Sequence, residues 1–161
     1  MEKIKYVLLF TVILFSTDLA YAKSDIDIAS DSTARPTKDL TGEIIVLKNA
    51  DFLKKIYNYE KNPQEWVYEG NLPCIIDFYT TWCIHCKRVD PILKELAKEY
   101  KGKIIIYKIN MDNERGLASI FNVSSVPTYI FIPAKGKPES IRGARPREIF
   151  VEIIEKFLLK K

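Results

Sequence analysis

From Cys74 to Thr80 the chain reads Cys-Ile-Ile-Asp-Phe-Tyr-Thr, apolar on both faces of an extended strand. Such a run belongs in the middle of a covered sheet, since a half-exposed strand would alternate apolar with polar residues. The chain must therefore supply helices above and below this strand, and its flanking patterns do so. Trp82 to Tyr100 follows, with Val89, Ile92, Leu93, Leu96 and Ala97 at helical spacing. Pro91 lies inside that stretch and predicts a kink, because proline cannot donate to the preceding turn. Lys103 to Asn110 reads as a second buried strand, Glu114 to Phe121 as a short helix and Thr128 to Pro133 as a third strand. Lys135-Gly136-Lys137 is a turn into a further strand near Ser140, and Pro146 opens a final amphipathic helix through Leu159. Upstream, Ile44 to Lys48 is a short β-run and Ala50 to Tyr57 a helix. An irregular or partly helical connection, Asn58 to Asn71, joins them to the central strand. The order β-α-β-α-β-α-β-β-α predicts an α/β fold, a mixed sheet of four to five strands with helices on both faces.

The N-terminus follows a different logic. Lys3 and Lys5 make a short positive start, and Tyr6 to Phe15 is an apolar run broken only by Thr11. Ala20-Tyr21-Ala22 then places small residues where a signal peptidase inspects them. The run falls well short of the roughly 20 residues a spanning helix needs. Residues 1–22 therefore read as a signal peptide cleaved after Ala22, an uncleaved membrane anchor being the alternative. Residues 23–42, rich in Ser, Asp and Thr without an apolar period, read as a flexible segment, and 43–161 as the domain. At 161 residues, 47% hydrophobic and 29% charged, the chain has room for one soluble globular domain and a short appendage. The net charge of +4 is spread over stretches where acids and bases alternate, such as Asp90 to Tyr100, so a nucleic-acid surface is not expected.

Cys83 and Cys86 lie where the central strand gives way to the helix. A helix N-terminus carries partial positive charge and free amide donors, which favour a thiolate. Cys83, at the very start, gains most and should have the lower pKa. Two intervening residues put both sulfurs on the first turn, close enough to bond. Cys83 can then attack a disulfide, and Cys86 can resolve the mixed disulfide that forms. Other readings compete. A zinc site wants four ligands, whereas the chain has three cysteines and one histidine, with His85 between the pair and Cys74 a strand away. Haem attachment wants a histidine where Lys87 stands. A static structural disulfide also remains open. Neither a metal nor a cofactor is expected. Cys74 reads as a small buried hydrophobe, with a regulatory or intermolecular disulfide as the alternative.

Asp77 through Lys87, followed by Pro91, together with Val126-Pro127-Thr128 and Arg142-Gly143, resembles the thioredoxin family across residues 43–161. The resemblance implies a thioredoxin fold and a thiol–disulfide oxidoreductase in which Cys83 is the nucleophile, Cys86 the resolving thiol, and the two form the redox disulfide. It further implies that Asp77 is a buried carboxylate assisting proton transfer at Cys86, with Lys108 beside it. Pro127 would be cis, Val126 would offer its backbone to substrate, and Trp82, Met111, Val126 and Gly143 would line a shallow groove. The residues alone support a desolvated Asp77 with a raised pKa, or a carboxylate satisfied by a structural partner. Trp82 and Met111 could equally be core packing.

Two departures from the family pattern bear on direction. Ile84-His85 stands where thioredoxins carry Gly-Pro; a histidine there is similar to the disulfide isomerases and to the oxidising DsbA proteins, and Val126 before the proline resembles DsbA. An imidazolium near Cys83 would stabilise its thiolate and raise the reduction potential, unless His85 is an idle surface residue. The short interval from Cys86 to Pro127 leaves no room for the inserted helical domain of DsbA. The expected activity is thus reduction or isomerisation of exported proteins, with dithiol oxidation as the alternative and a non-catalytic binding module as a more distant one. The long Asn58 to Asn71 connection and the N-terminus resemble periplasmic thioredoxins of Bacteroides-like bacteria. Expected partners are disulfide-containing or dithiol exported proteins and a membrane electron donor or acceptor of the disulfide-relay type, met by a monomer in the periplasm or otherwise outside the cytosol.

Overall fold

The computed structural model describes residues 42–160. The signal-peptide expectation and nearly all of the flexible segment fall outside them. Five strands form one mixed sheet in the order β1-β3-β2-β4-β5. β1 (Ile44–Val46), β2 (Cys74–Tyr79) and β3 (Ile105–Asn110) are parallel; β4 (Thr128–Ile132) pairs antiparallel with β2, and β5 (Glu139–Arg142) antiparallel with β4, so that among these five strands β4 alone is reversed. β2 is the centre, as its two-faced apolar pattern requires: Cys74 to Phe78 are all buried.

Successive β2 side chains point to opposite faces, so the sheet has two separate cores. Cys74, Ile76 and Phe78 meet α1 (Asn49–Lys55) and α3 (Arg115–Ile120) through Phe52 and Leu117. Ile75 faces α2 (Ile84–Glu99) and α4 (Arg147–Ile153), among Val89, Leu93, Leu96, Tyr129 and Phe150. Phe78 and Phe150 are completely buried, each contributing about 2–3 kcal/mol of hydrophobic stabilisation. Asp77 points to the α2 side, where an alternating strand would place it, and this makes it a carboxylate inside an apolar layer.

Boundaries moved little from the sequence pattern. α2 runs on through Pro91, whose missing donor falls within the second turn. Pro146 precedes the last helix in an extended conformation, so it caps the helix instead of occupying its first turn. That helix does not stay α-helical to Leu159. It widens into a π-helical turn, Ile154–Leu158, where the Leu159 N–H reaches back to Ile154, and both Ile154 and Leu158 are buried there. The 58–71 connection contains turns and a single bridge between Tyr57 and Tyr68, without a helix. It is held by aromatic packing, Trp66 lying 4.8 Å from the Tyr57 ring and 5.9 Å from Phe121.

Candidate active site

At the C-terminal end of β2 the chain turns through Thr80 to Trp82 and enters α2 with Cys83 as the N-cap. Cys83 and Cys86 are joined in a disulfide, with Cα atoms 5.3 Å apart. The Cys83 Sγ also accepts the Cys86 N–H at 3.0 Å, an orphan donor of the first turn. When the pair is reduced, that donor and the positive helix end remain aimed at Cys83, which is the arrangement that stabilises a thiolate. Both cysteines are nearly buried, but their neighbours are not: Trp82 is 68% exposed and Ile84 72%. His85 is exposed as well, on the same first turn.

Beside the disulfide lies a groove of about 490 Å³ that brings together Trp82, Met111 and Val126 with Thr80, Asp112, Arg115, Ser124 and Ser125. The exposure of Trp82 rules out simple core packing for it, whereas Met111 both lines the groove and packs on the apolar core. The Val126–Pro127 peptide is cis, and Pro127 is buried behind it. Gly143 does not line the groove. It donates its N–H to the Pro127 carbonyl at 2.8 Å and thereby fixes the loop from behind. Its φ of +81° is the reason for glycine, since a Cβ there would meet nothing within 4 Å.

On the other side of the helix start is a second cavity, about 220 Å³, bordered by Thr80, Cys86, Lys87, Asp90 and Lys108 together with Tyr79 and Thr81. Asp77 lies beneath this region, 2% exposed, and its Oδ1 has no hydrogen-bond partner. Burial pushes its carboxyl up to about 7, with Lys108 pulling the other way and Asp90 adding to the rise. Lys108 does stand beside Asp77, at 3.8 Å from Oδ2, but its hydrogen bond goes to Asp90. Asp90 also takes Lys94 at 2.7 Å. Partial burial works against its charge, yet these two lysines hold Asp90 below the ordinary carboxylate value. Asp90 is the residue that the sequence reading missed. Its signal was present: it follows Cys86 by four positions, on the same helix face. Arg115, Ser124 and Ser125 were also missed as groove residues.

Cys74 is fully buried at the opposite end of β2, unbonded to another cysteine. Burial raises its thiol to about 12, the hydrogen bond with Tyr68 opposing that rise.

A sequence profile of the family described as Thioredoxin matches residues 43–156. A thioredoxin of Borreliella burgdorferi is 42% identical over 113 residues, covering 70% of this chain and 96% of its own length. The chloroplastic M-type thioredoxin of Spinacia oleracea is 38% identical over 115 residues, and the match spans 71% of this chain and 64% of that protein. Among solved structures, a mutant thioredoxin from Halobacterium salinarum superposes with a TM-score of 0.59 over 73% of this chain and 93% of its own, at 22% identity.

Proposed function

The chain belongs to the thioredoxin family of thiol–disulfide oxidoreductases, and from that premise we propose that it reduces or rearranges disulfides in exported proteins, with Cys83 as the attacking sulfur. The observation that carries this assignment is the Cys83 sulfur at the N-cap of α2, receiving the Cys86 N–H beside an open groove. In the reducing direction the Cys83 thiolate attacks one sulfur of the substrate disulfide. A mixed disulfide forms, and the other substrate sulfur leaves as a thiolate and takes a proton. Cys86 then attacks Cys83, releasing the second substrate thiol and closing the Cys83–Cys86 disulfide. Cys86 must lose its proton first, and Asp77 is the group that receives it: its pKa near 7 lets it exist in both forms at neutral pH.

Trp82, Met111 and Val126 give an extended peptide an apolar bed, and the Val126 backbone offers a short stretch of strand-like pairing. Export rests on the Lys3 and Lys5 start, the apolar run and Ala20-Tyr21-Ala22. It makes the protein a periplasmic or otherwise exported enzyme of the type found in Bacteroides-like bacteria, recharged through a membrane electron carrier. N-terminal sequencing of the secreted protein should read from Lys23; a chain still beginning at Met1 overturns cleavage. Cys86→Ser should accumulate mixed disulfides with exported proteins, and Cys83→Ser should not. If neither variant traps a partner, the exchange mechanism fails.

His85 and Val126 support a second reading, dithiol oxidation. An imidazolium near Cys83 favours the reduced pair and so makes the disulfide more oxidising. The redox state of the pair in living cells decides between them: mostly reduced for a reductase or isomerase, mostly oxidised for an oxidase.

A further inference from the structure

Asp77 and Asp90 compete for one cation. Lys108, from β3, faces both across the sheet–helix boundary, 3.8 Å from Asp77 Oδ2 and hydrogen-bonded to Asp90 Oδ1. It also lies 4.4 Å from the centre of the Tyr79 ring. Asp90 is held from its other side by Lys94, one turn further along α2. Among the described residues Asp77 also faces Tyr129 of β4, its register partner, whose hydroxyl is buried without a hydrogen-bond partner, and Phe150 of α4 packs edge-on against that ring. Asp77 therefore has one distant cation, and Asp90 has two close ones.

We propose that Asp90 is a positioning residue that acts through Lys108: by holding the ammonium at the cavity wall it keeps that cation off Asp77, leaving Asp77 able to take and return the Cys86 proton. The inference rests on the reading of Asp77 as the proton partner of Cys86. Geometry makes the placement functional. Cys86 and Asp90 border the same cavity from the same helix face, and Lys108 borders it too, so the ion pair lines the space next to Cys86. Without Asp90, Lys108 has Asp77 as its nearest anion. A full ion pair there would fix Asp77 in its charged form and make it a weaker base.

The test is direct titration of the Asp77 carboxyl by carbon-13 NMR in the reduced, full-length protein, alongside the pH profile of protein-disulfide reduction. In Asp90→Asn the Asp77 midpoint should move down by about one pH unit, as expected when a carboxylate gains an adjacent cation, and the acid limb of the profile should follow. Asp90→Glu should return both toward wild type. In a Lys108→Met background, Asp90→Asn should move the midpoint by less than half as much. Asp90 is partly exposed and its replacements are small, and Asp90→Ser must give the same direction as Asp90→Asn. A midpoint that stays put or rises in Asp90→Asn overturns the inference, as does an undiminished shift without Lys108. Failure of the underlying reading looks different: Asp77→Asn would then leave the acid limb of the wild-type profile in place.

Discussion

One cysteine opens β2 and another stands just past its far end, at the start of α2, and the two settings could hardly treat a thiol more differently. At the N-terminal end Cys74 is paired in register with Ile105 and Ile132, completely buried, with its thiol raised to about 12. Beyond the C-terminal end Cys83 has nearly the same burial but sits on a helix N-terminus that donates to its sulfur. Fractional exposure does not separate the two. What separates them is the direction of the surrounding dipoles and the presence of exposed Trp82 and Ile84 alongside one of them. Burial in an apolar layer makes a thiol inert, and burial beneath unpaired amides makes it a nucleophile.

The largest expected effect tests that contrast outright. Cys83→Ser should bring cysteine-dependent reduction of a protein disulfide down to the assay background, while Cys74→Ala keeps turnover within about twofold, since no thiolate forms at Cys74 near neutral pH. Alkylation of the reduced protein at pH 6 should accordingly label Cys83 quickly and leave Cys74 untouched until the fold opens. Fast labelling of Cys74 would erase the distinction.

Next in size is a stability effect. Asp77 has a folded pKa of about 7, above its unfolded value near 4, so the folded state binds the extra proton between those limits. Stability must fall as pH rises from about 4 to about 7, by up to about 4 kcal/mol in all. Asp77→Asn should remove that slope and be the more stable protein at pH 8 in urea titrations, with little advantage at pH 4. Cys74→Ala should keep the slope, because its raised thiol loses stability only at alkaline pH, above about 9. Equal slopes in all three proteins would show that Asp77 titrates as an ordinary carboxyl.

The smallest effect concerns His85. His85→Pro removes a potential cation from the first turn and should lower the reduction potential of the pair by about 30 mV, equivalent to about 1.4 kcal/mol for two electrons. Equilibration against glutathione buffers measures it. An unchanged potential would make His85 a bystander and leave Val126 as the remaining argument for a less reducing enzyme.

Much of this site was legible in the sequence because its residues announce themselves locally. A strand apolar on both faces has one place in a sheet, and cysteines two residues apart where it meets a helix have one geometry. An acid inside such a strand is desolvated wherever the chain goes, so Asp77 was readable too. Asp90 was not, although it is only four residues beyond Cys86. On a helix with charges at most exposed positions, one more acid before a proline looks like solvent-facing surface. That it turns to Lys108 depends on how α2 docks on β2 and β3, which is set by tertiary packing. Ser124, Ser125 and Arg115 were hidden for the same reason: distant loops converge on one groove only once the strands are in register. The π-helical turn at 154–158 satisfies a packing demand, burying Ile154 and Leu158 together, and the helical pattern alone carries no sign of it.

The sheet's margins have a consequence for a member of a family that acts on disulfides in other proteins. β1 is three residues long and β5 four, the latter carrying Glu139 and Arg142 on its exposed edge. A strand as short as β1 and one as short and charged as β5 make poor templates for a stray strand, which is how sheets resist runaway self-association. On the proposed reading, a polypeptide that seeks backbone pairing finds little at either margin, and meets instead the loop before Pro127, which shares a groove with Trp82, the chain neighbour of Cys83.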